Sequence, residues 1–515
     1  MHARVEPAHE VLIIGAGFGG IGAAIALQKA GIDDVVLVDK WHGVGGTWLA
    51  NTYPGVAVDI PAFIYSFSFD QRADWSRLFA PGEEIRQYAE SVVDKFGLRS
   101  KLRLSTTIVR CDFDAEAHLW RVQTDTGTEL TARYLVPAIG GLERPKLPDI
   151  DGIEDFGGTL VHTAMWDHDV DLAGKRVGVI GTGATSLQLV PEIADRVGHL
   201  SVYQRTPIWV GPKVDFVVGP VGRAVLGQPL VRTALRAGGA LGAEVGLGGQ
   251  MALPEVVGGA VRRVLEARMR AWMRSQVRDP VVREQLIPRY GLGCKRPSMS
   301  NTYLKTFNRA DVDLVTTSIE RVTGNAVVTA DGVEHETDVL VCATGFNVMA
   351  EGMSPPFPVV GPDGVDIRDF WHEHRYQAYQ GVSVPGFPNL FNVTGPNGFV
   401  IGSYFWMVEA TSAHIARVIA NARRRDATHV EVRRGPHDEY FERCQNRSRR
   451  SFLFTDTCDG SNTYYINYQG DASILRPSTH AEMYLENRLF PLSNYRYERL
   501  PAARPVTTRT RGANR

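Results

Sequence analysis

Val11-Leu12-Ile13-Ile14-Gly15-Ala16-Gly17-Phe18-Gly19-Gly20 stands near the start of the chain. Four apolar residues in a row, without alternation, read as a strand buried on both faces, as in a parallel sheet. The six that follow have the spacing G-x-G-x-x-G, and a helical stretch then runs through Ala30. Val35-Val36-Leu37-Val38 is a second apolar run, ended by Asp39. Strand, glycine turn, helix, strand and terminal acid form the arrangement that cradles a dinucleotide. Gly15 permits the tight turn, Gly17 lets the backbone approach a pyrophosphate at the helix N-terminus, and Gly20 lets helix and strand pack closely. Asp39 stands where a carboxylate accepts hydrogen bonds from a ribose diol.

The pattern repeats. Arg176-Val177-Gly178-Val179-Ile180 is a strand, Gly181-Thr182-Gly183-Ala184-Thr185-Ser186 the loop, and Leu200-Ser201-Val202-Tyr203 the second strand, closed by Gln204-Arg205. Arg205 occupies the place that Asp39 holds in the first unit. An acid there suits a ribose with free hydroxyls, whereas a guanidinium suits a 2′-phosphate. The first unit is therefore expected to hold FAD and the second NADPH, through Gly181, Gly183 and Thr185; Arg205 read alone is an ordinary surface cation. Ser186 replaces the third glycine and is expected to loosen helix–strand packing slightly.

The chain of 515 residues is too long for one core. Its 44% hydrophobic and 22% charged content is that of an ordinary globular protein. A net charge of −1 gives no reason to expect nucleic acid or an acidic membrane surface as partner. The five cysteines form no C-x-x-C pair and no metal-ligand spacing, which suits a reducing compartment and points to no metal. No secretory signal is read in Met1–Glu10 and no transmembrane segment anywhere, so a cytoplasmic location is expected.

Between the two repeats lies Phe156-Gly157-Gly158-Thr159-Leu160-Val161-His162-Thr163-Ala164-Met165-Trp166-Asp167. Read bare, it is a linker whose His and Trp pack between domains; if helical, His162 and Trp166 share one face. Its spacing, F-x-G-x-x-x-H-x-x-x-W-D on Phe156, Gly158, His162, Trp166 and Asp167, resembles the fingerprint of the Baeyer–Villiger monooxygenases. Gly45-Gly46-Thr47-Trp48 with Tyr53-Pro54-Gly55-Val56-Ala57-Val58-Asp59, read as an irregular loop beside a ligand, resembles a second signature of that family, G-G-x-W followed by Y-P-G-x-x-x-D. Gly293-Cys294-Lys295-Arg296-Pro297, by itself a solvated loop, resembles its K-R-P segment. The resemblance covers about residues 10 to 400.

What the resemblance implies is an NADPH- and O2-dependent flavin monooxygenase that forms an ester or lactone through a C4a-peroxyflavin. Arg296 would stabilise the flavin peroxide, Asp59 would adjust that arginine, and Lys295 would hold the 2′-phosphate with Arg205. Gly46, Thr47, Trp48 and Tyr53 would join the cofactor contacts. Asp59 read alone caps a turn. Two departures stand out: Ile139 replaces the usual Thr after Ala138, and tyrosines (Tyr464, Tyr465, Tyr468) stand where some relatives carry a Trp, so these are expected at the substrate pocket without a transferred role.

The expected fold class is α/β: two Rossmann-like dinucleotide-binding domains with a helical insertion. The first part of the FAD domain spans 1–150, with a β-rich appendage over Leu102–Thr124. The NADPH domain spans 151–340 with its insertion at about 212–285. The second part of the FAD domain, entered by the strand at Thr337–Phe346, spans 341–500 with the substrate pocket, and 501–515 is a disordered tail. The partners expected are a small-molecule ketone and O2. Other functions remain compatible with these residues: a flavin N- or S-hydroxylating monooxygenase, a plain NADPH:acceptor oxidoreductase, and a catalytically silent nucleotide sensor.

Overall fold

The computed structural model describes residues 6–245, 255–348, 351–352 and 354–500. The basic segment 501–515, expected to be a disordered tail, lies outside the described residues, as does part of the insertion.

The apolar runs lie side by side. β1 (His9–Ile14), β2 (Val35–Val38), β3 (Leu102–Arg103), β4 (Ile108–Asp114), β5 (Leu119–Thr124) and β6 (Glu129–Pro137) join the short strand Val359–Val360 in a seven-stranded sheet. Its spatial order is Val359–Val360, β4, β5, β6, β1, β2, β3. β6, β1, β2 and β3 are mutually parallel, while β4 to β6 form an antiparallel meander. The strands expected as an appendage thus continue the main sheet. Val11, Leu12 and Ile13 are fully buried, as an unbroken apolar strand requires. Helix α1 (Phe18–Lys29) covers one face, and the helix Tyr404–Arg424 packs along it.

β7 (Thr159–His162), β8 (Arg176–Ile180) and β9 (His199–Tyr203) form a second, five-stranded sheet with Val312–Val315 and Val339–Cys342. Every pair in it is parallel. Val339–Cys342 was expected to return the chain to the first unit; it lies instead between β8 and β7. The apolar run is buried on both faces, a demand that a central strand of either sheet meets, so composition could not choose between them. The return to the first sheet comes later, first at Val359–Val360, which pairs with β4, and then along β6. Phe391 N–H donates to Leu135 O (3.0 Å) and Val393 N–H to Pro137 O (2.9 Å), laying this segment along β6.

The linker is not one helix. Thr159–His162 is the edge strand of the second sheet and Thr163–Met165 a single 3-10 turn, so His162 and Trp166 share no helical face. Gly158 explains the entry to that strand: a Cβ there would stand 2.4 Å from Asp338 O and 2.6 Å from the Phe156 ring.

Helices Pro220–Leu226, Pro229–Val245, Glu255–Gln276 and Pro280–Gln285 fill the insertion. Arg236 ties it to the first unit, donating to Ser66 O at 2.7 Å. Among the described residues no helix is long and apolar enough to cross a membrane.

Candidate active site

The loops after β1 and β8 are built alike. Gly15 has φ +111° and Gly181 φ +108°, and a Cβ at either would stand 2.6 Å from a carbonyl oxygen, that of Ala138 or of Ala343. Gly15 N–H donates to Val38 O (2.8 Å) and Gly181 N–H to Tyr203 O (3.1 Å). α1 and the helix Ala184–Ile193 start from Gly17 and Gly183 with no side-chain cap, leaving N–H groups and the positive helix end for an anion. A Cβ at Gly183 would enter open space and one at Gly17 would meet only Gly46, so both cradles are kept clear of side chains.

The repeats differ at the third position. A Cβ on Gly20 would stand 1.9 Å from Gly15 O, whereas Ser186 donates from Oγ to Gly181 O at 2.6 Å. The serine expected to loosen this contact supplies a hydrogen bond to it.

Both cradles open into one cavity of about 1960 Å³. Asp39 reaches it at the end of β2, 8% exposed, accepting hydrogen bonds from Ala16 N–H (2.6 Å) and Trp41 N–H (2.9 Å). Burial pushes its pKa up, against the pull of those two donors. Arg205 and Lys295 line the same cavity. Burial, and then the nearby Arg205 charge, bring the Lys295 pKa down to about 8.

Asp59 and Arg296, 237 positions apart, meet on this wall as a bidentate pair: Nε to Oδ2 at 2.7 Å and Nη2 to Oδ1 at 2.9 Å. Each side chain is 31% exposed. The Asp59 charge lifts the Arg296 pKa further above its usual value, so the guanidinium keeps its charge at any working pH. Asp59 thus holds a guanidinium rather than serving only as a turn cap.

Gly46, Thr47, Trp48 and Tyr53 also line the cavity. An irregular loop was expected here; Thr47–Ala50 forms one helical turn, closed by Asn51 Nδ2 donating to Thr47 O (2.9 Å). Trp48 Nε1 donates to Tyr65 OH (3.0 Å). Tyr53 OH, whose pKa burial lifts to about 12, donates to Gln188 Oε1 (2.9 Å) and lies beside Thr185. Gln188 Nε2 in turn donates to Ala57 O (2.9 Å). Gln188, on the helix that starts at the second cradle, therefore pins the loop carrying Asp59, a role that no sequence motif signals.

His162 is buried at the end of β7, beside the chain crossings at Lys146 and Gly345. Its Nδ1 accepts from Ala164 N–H (3.1 Å), its Nε2 lies 3.4 Å from Thr344 Oγ1, and burial lowers its pKa. Phe156 and Trp166 pack partly buried against apolar clusters of the second unit, and Asp167 is exposed, accepting from Asp169 N–H (2.9 Å). Of the linker residues, Phe156, His162, Trp166 and Asp167 stay outside the cavity wall.

Tyr464 and Tyr465 line the cavity, but Tyr468 does not: it stacks on His372, with ring centroids 6.1 Å apart. The cysteine spacing gave no sign of a pair, yet Cys294 and Cys458 are joined in a disulfide, while Cys111, Cys342 and Cys444 are free and buried.

Comparison with known proteins places this geometry. The family described as pyridine nucleotide-disulphide oxidoreductase matches residues 9–219, which hold the first cradle and most of the second unit's parallel core. A Baeyer-Villiger monooxygenase of Streptomyces coelicolor is 38% identical over 502 residues, 96% of this chain and 93% of its own. The crystal structure of OTEMO in complex with FAD and NADP superposes with a TM-score of 0.83 at 26% identity, covering 96% of this chain and 100% of that one. An epsilon-caprolactone-bound structure of cyclohexanone monooxygenase gives 0.81 at 30% identity, over 95% and 99% of the two chains. With near-complete coverage and the paired cradles, the chain belongs to the Baeyer–Villiger monooxygenase family.

Proposed function

We propose that Arg296 and Asp59 are the catalytic pair of this enzyme, an FAD-containing, NADPH-dependent monooxygenase that inserts one oxygen atom beside a ketone carbonyl to give an ester or lactone. The observation that carries the assignment of the pair is its bidentate contact on a wall shared by two dinucleotide cradles. Bound FAD, reduced by NADPH, supplies the electron transfer and oxygen activation.

The residues suit the two cofactors. Asp39 at the first cradle matches the free ribose of FAD, Gly15 and Gly17 clear the way for its pyrophosphate, and Gly20 lets helix and strand pack closely. Gly181, Gly183 and Thr185 take the NADPH pyrophosphate, and Arg205 with Lys295 sets two cations against the 2′-phosphate dianion. Gly46, Thr47, Trp48 and Tyr53 complete the wall between them. A guanidinium carries five N–H donors, of which Asp59 takes two. Its fixed charge favours negative charge on oxygen at a site from which the bound cofactors and ketone exclude water.

We assign the FAD domain to residues 1–150 and 346–500, and the NADPH domain to 151–345 with its insertion at about 212–285. The second boundary is set just past Gly345 rather than at the expected 340 because Val339–Cys342 pairs with β7 and β8. Ketone and O2 are the partners, and the cytoplasm is the compartment that the composition suits. The test is to purify the protein, record its flavin spectrum, and follow NADPH oxidation and products with cyclic ketones, sulfides and amines. Lactone formation coupled to NADPH supports this reading; oxygenation confined to sulfides or amines overturns it.

A further inference from the structure

Arg296 sits between two anchors. Downstream, Ser298 N–H donates to Trp209 O (3.0 Å) within a short parallel pairing. Upstream, Cys294 is fully buried and bonded to Cys458. Cys458 ends a turn of the segment that leads to Tyr464 and Tyr465, which line the cavity with Arg296. Gly291 N–H donates to Thr457 O (2.7 Å), and Asn462 Nδ2 to Thr206 Oγ1 (3.1 Å), just beyond Arg205. The disulfide is thus the covalent member of a seam joining the Lys295–Arg296 loop to the tyrosine wall. In a reducing compartment disulfides are mostly transient and redox-sensing rather than permanent.

We propose that Cys294 and Cys458 are a reversible positioning pair for oxygen transfer. Oxidised, they hold residues 456–465 against the Lys295–Arg296 loop and keep the wall closed around Arg296. Reduced, they release that wall, water enters, and NADPH oxidation is diverted from product to hydrogen peroxide. The oxidant is hydrogen peroxide itself. One thiolate attacks a peroxide oxygen, the S–O bond forms as the O–O bond breaks, and hydroxide leaves to be protonated to water. The second thiol then attacks that sulfur, the S–S bond forms, and a second water leaves. Two electrons pass from the sulfurs to the peroxide, and a cellular dithiol reverses the step by exchange. The product of uncoupled turnover thus restores coupling.

The inference rests on the role given to Arg296 above. The FAD-loaded enzyme is treated with hydrogen peroxide or with dithiothreitol, desalted, and mapped by non-reducing peptide mass spectrometry. Ester formed per NADPH is measured with the best ketone from the product screen, beside the anaerobic rate of flavin reduction. The expected result is a Cys294–Cys458 peptide only after peroxide, an ester yield about tenfold lower after dithiothreitol, recovery on reoxidation, and an unchanged reduction rate. Cys458→Ser should show the low yield under both treatments. A linked peptide that never forms, equal yields in both states, or a Cys458→Ser enzyme that still responds to thiol overturns the proposal. If that variant does not fold, the wild-type titration decides alone. Arg296→Ala separates the two ideas: full ester yield in that variant defeats the role of Arg296, whereas redox-insensitive wild type defeats only the crosslink.

Discussion

Removing Asp59 is the sharpest perturbation of the site. Its carboxylate holds Arg296 by two charge-assisted hydrogen bonds of 2.7 and 2.9 Å. Such bonds contribute about 1.5–3 kcal/mol each when buried, and with both side chains 31% exposed roughly half survives screening. Together that is about 2 kcal/mol, or roughly 30-fold at 1.4 kcal/mol per tenfold. Asp59→Ala should therefore slow ester formation by about 30-fold and also slow flavin reduction, because Arg296 loses both partner and position. Arg296→Ala should leave NADPH-driven reduction measurable, abolish ester, and send the oxygen to hydrogen peroxide. The double variant should be no worse in ester formation than Arg296→Ala, since the residues act as a unit. Stopped-flow anaerobic reduction, gas-chromatographic ester yield and a peroxide assay read the three quantities. Normal ester yield in Arg296→Ala would refute the reasoning and return this residue to the cavity wall without a chemical role.

Cofactor choice is tested by Arg205→Ala, which should raise KM for NADPH by roughly 10- to 100-fold and leave NADH nearly unaffected; an equal loss with both makes Arg205 structural. Lys295, with a pKa near 8, binds the 2′-phosphate better when protonated, so KM for NADPH should climb as pH rises through about 8. In Arg205→Ala that climb should move to higher pH, because one lowering influence on Lys295 is gone. Gly15→Ala and Gly181→Ala each force a Cβ to 2.6 Å from a carbonyl oxygen; the first should yield colourless protein, the second a yellow protein that NADPH no longer saturates. His162→Ala should depress oxygenation while FAD stays bound, measured by flavin content and ester yield, and loss of FAD or of folded protein would support a packing role alone.

Both cradles were legible because strand, glycine turn and helix are local patterns, each complete within about 25 residues. The Asp59–Arg296 contact spans 237 positions, and nothing in spacing reveals it; it was reachable only through resemblance to a family. Gln188 was missed because a glutamine one turn into a helix looks like any surface residue until the Tyr53 loop is laid on it. The sheet to which Val339–Cys342 belongs was missed because an apolar run states that it is buried, not which strands flank it. Cys294 and Cys458, 164 positions apart, carry no spacing that names a partner. Ser186 was judged by volume alone, and its hydroxyl found an acceptor that volume does not disclose.

The chain enters the second unit at Pro145–Lys146 and leaves it at Gly345–Phe346, and these two crossings are hydrogen-bonded to each other, Lys146 N–H to Gly345 O at 2.8 Å. In a protein made from the N-terminus onward, all five strands of the second sheet therefore emerge while the first unit is still unfinished. The strip along β6 and the helix Tyr404–Arg424 that packs on α1 arrive only afterwards. On the ribosome, the glycine loop of the second cradle and its sheet are made before the strip that flanks the first cradle. A ribosome stalled before residue 389 would therefore carry the second sheet and its glycine loop beside a first cradle that still lacks the strip along β6.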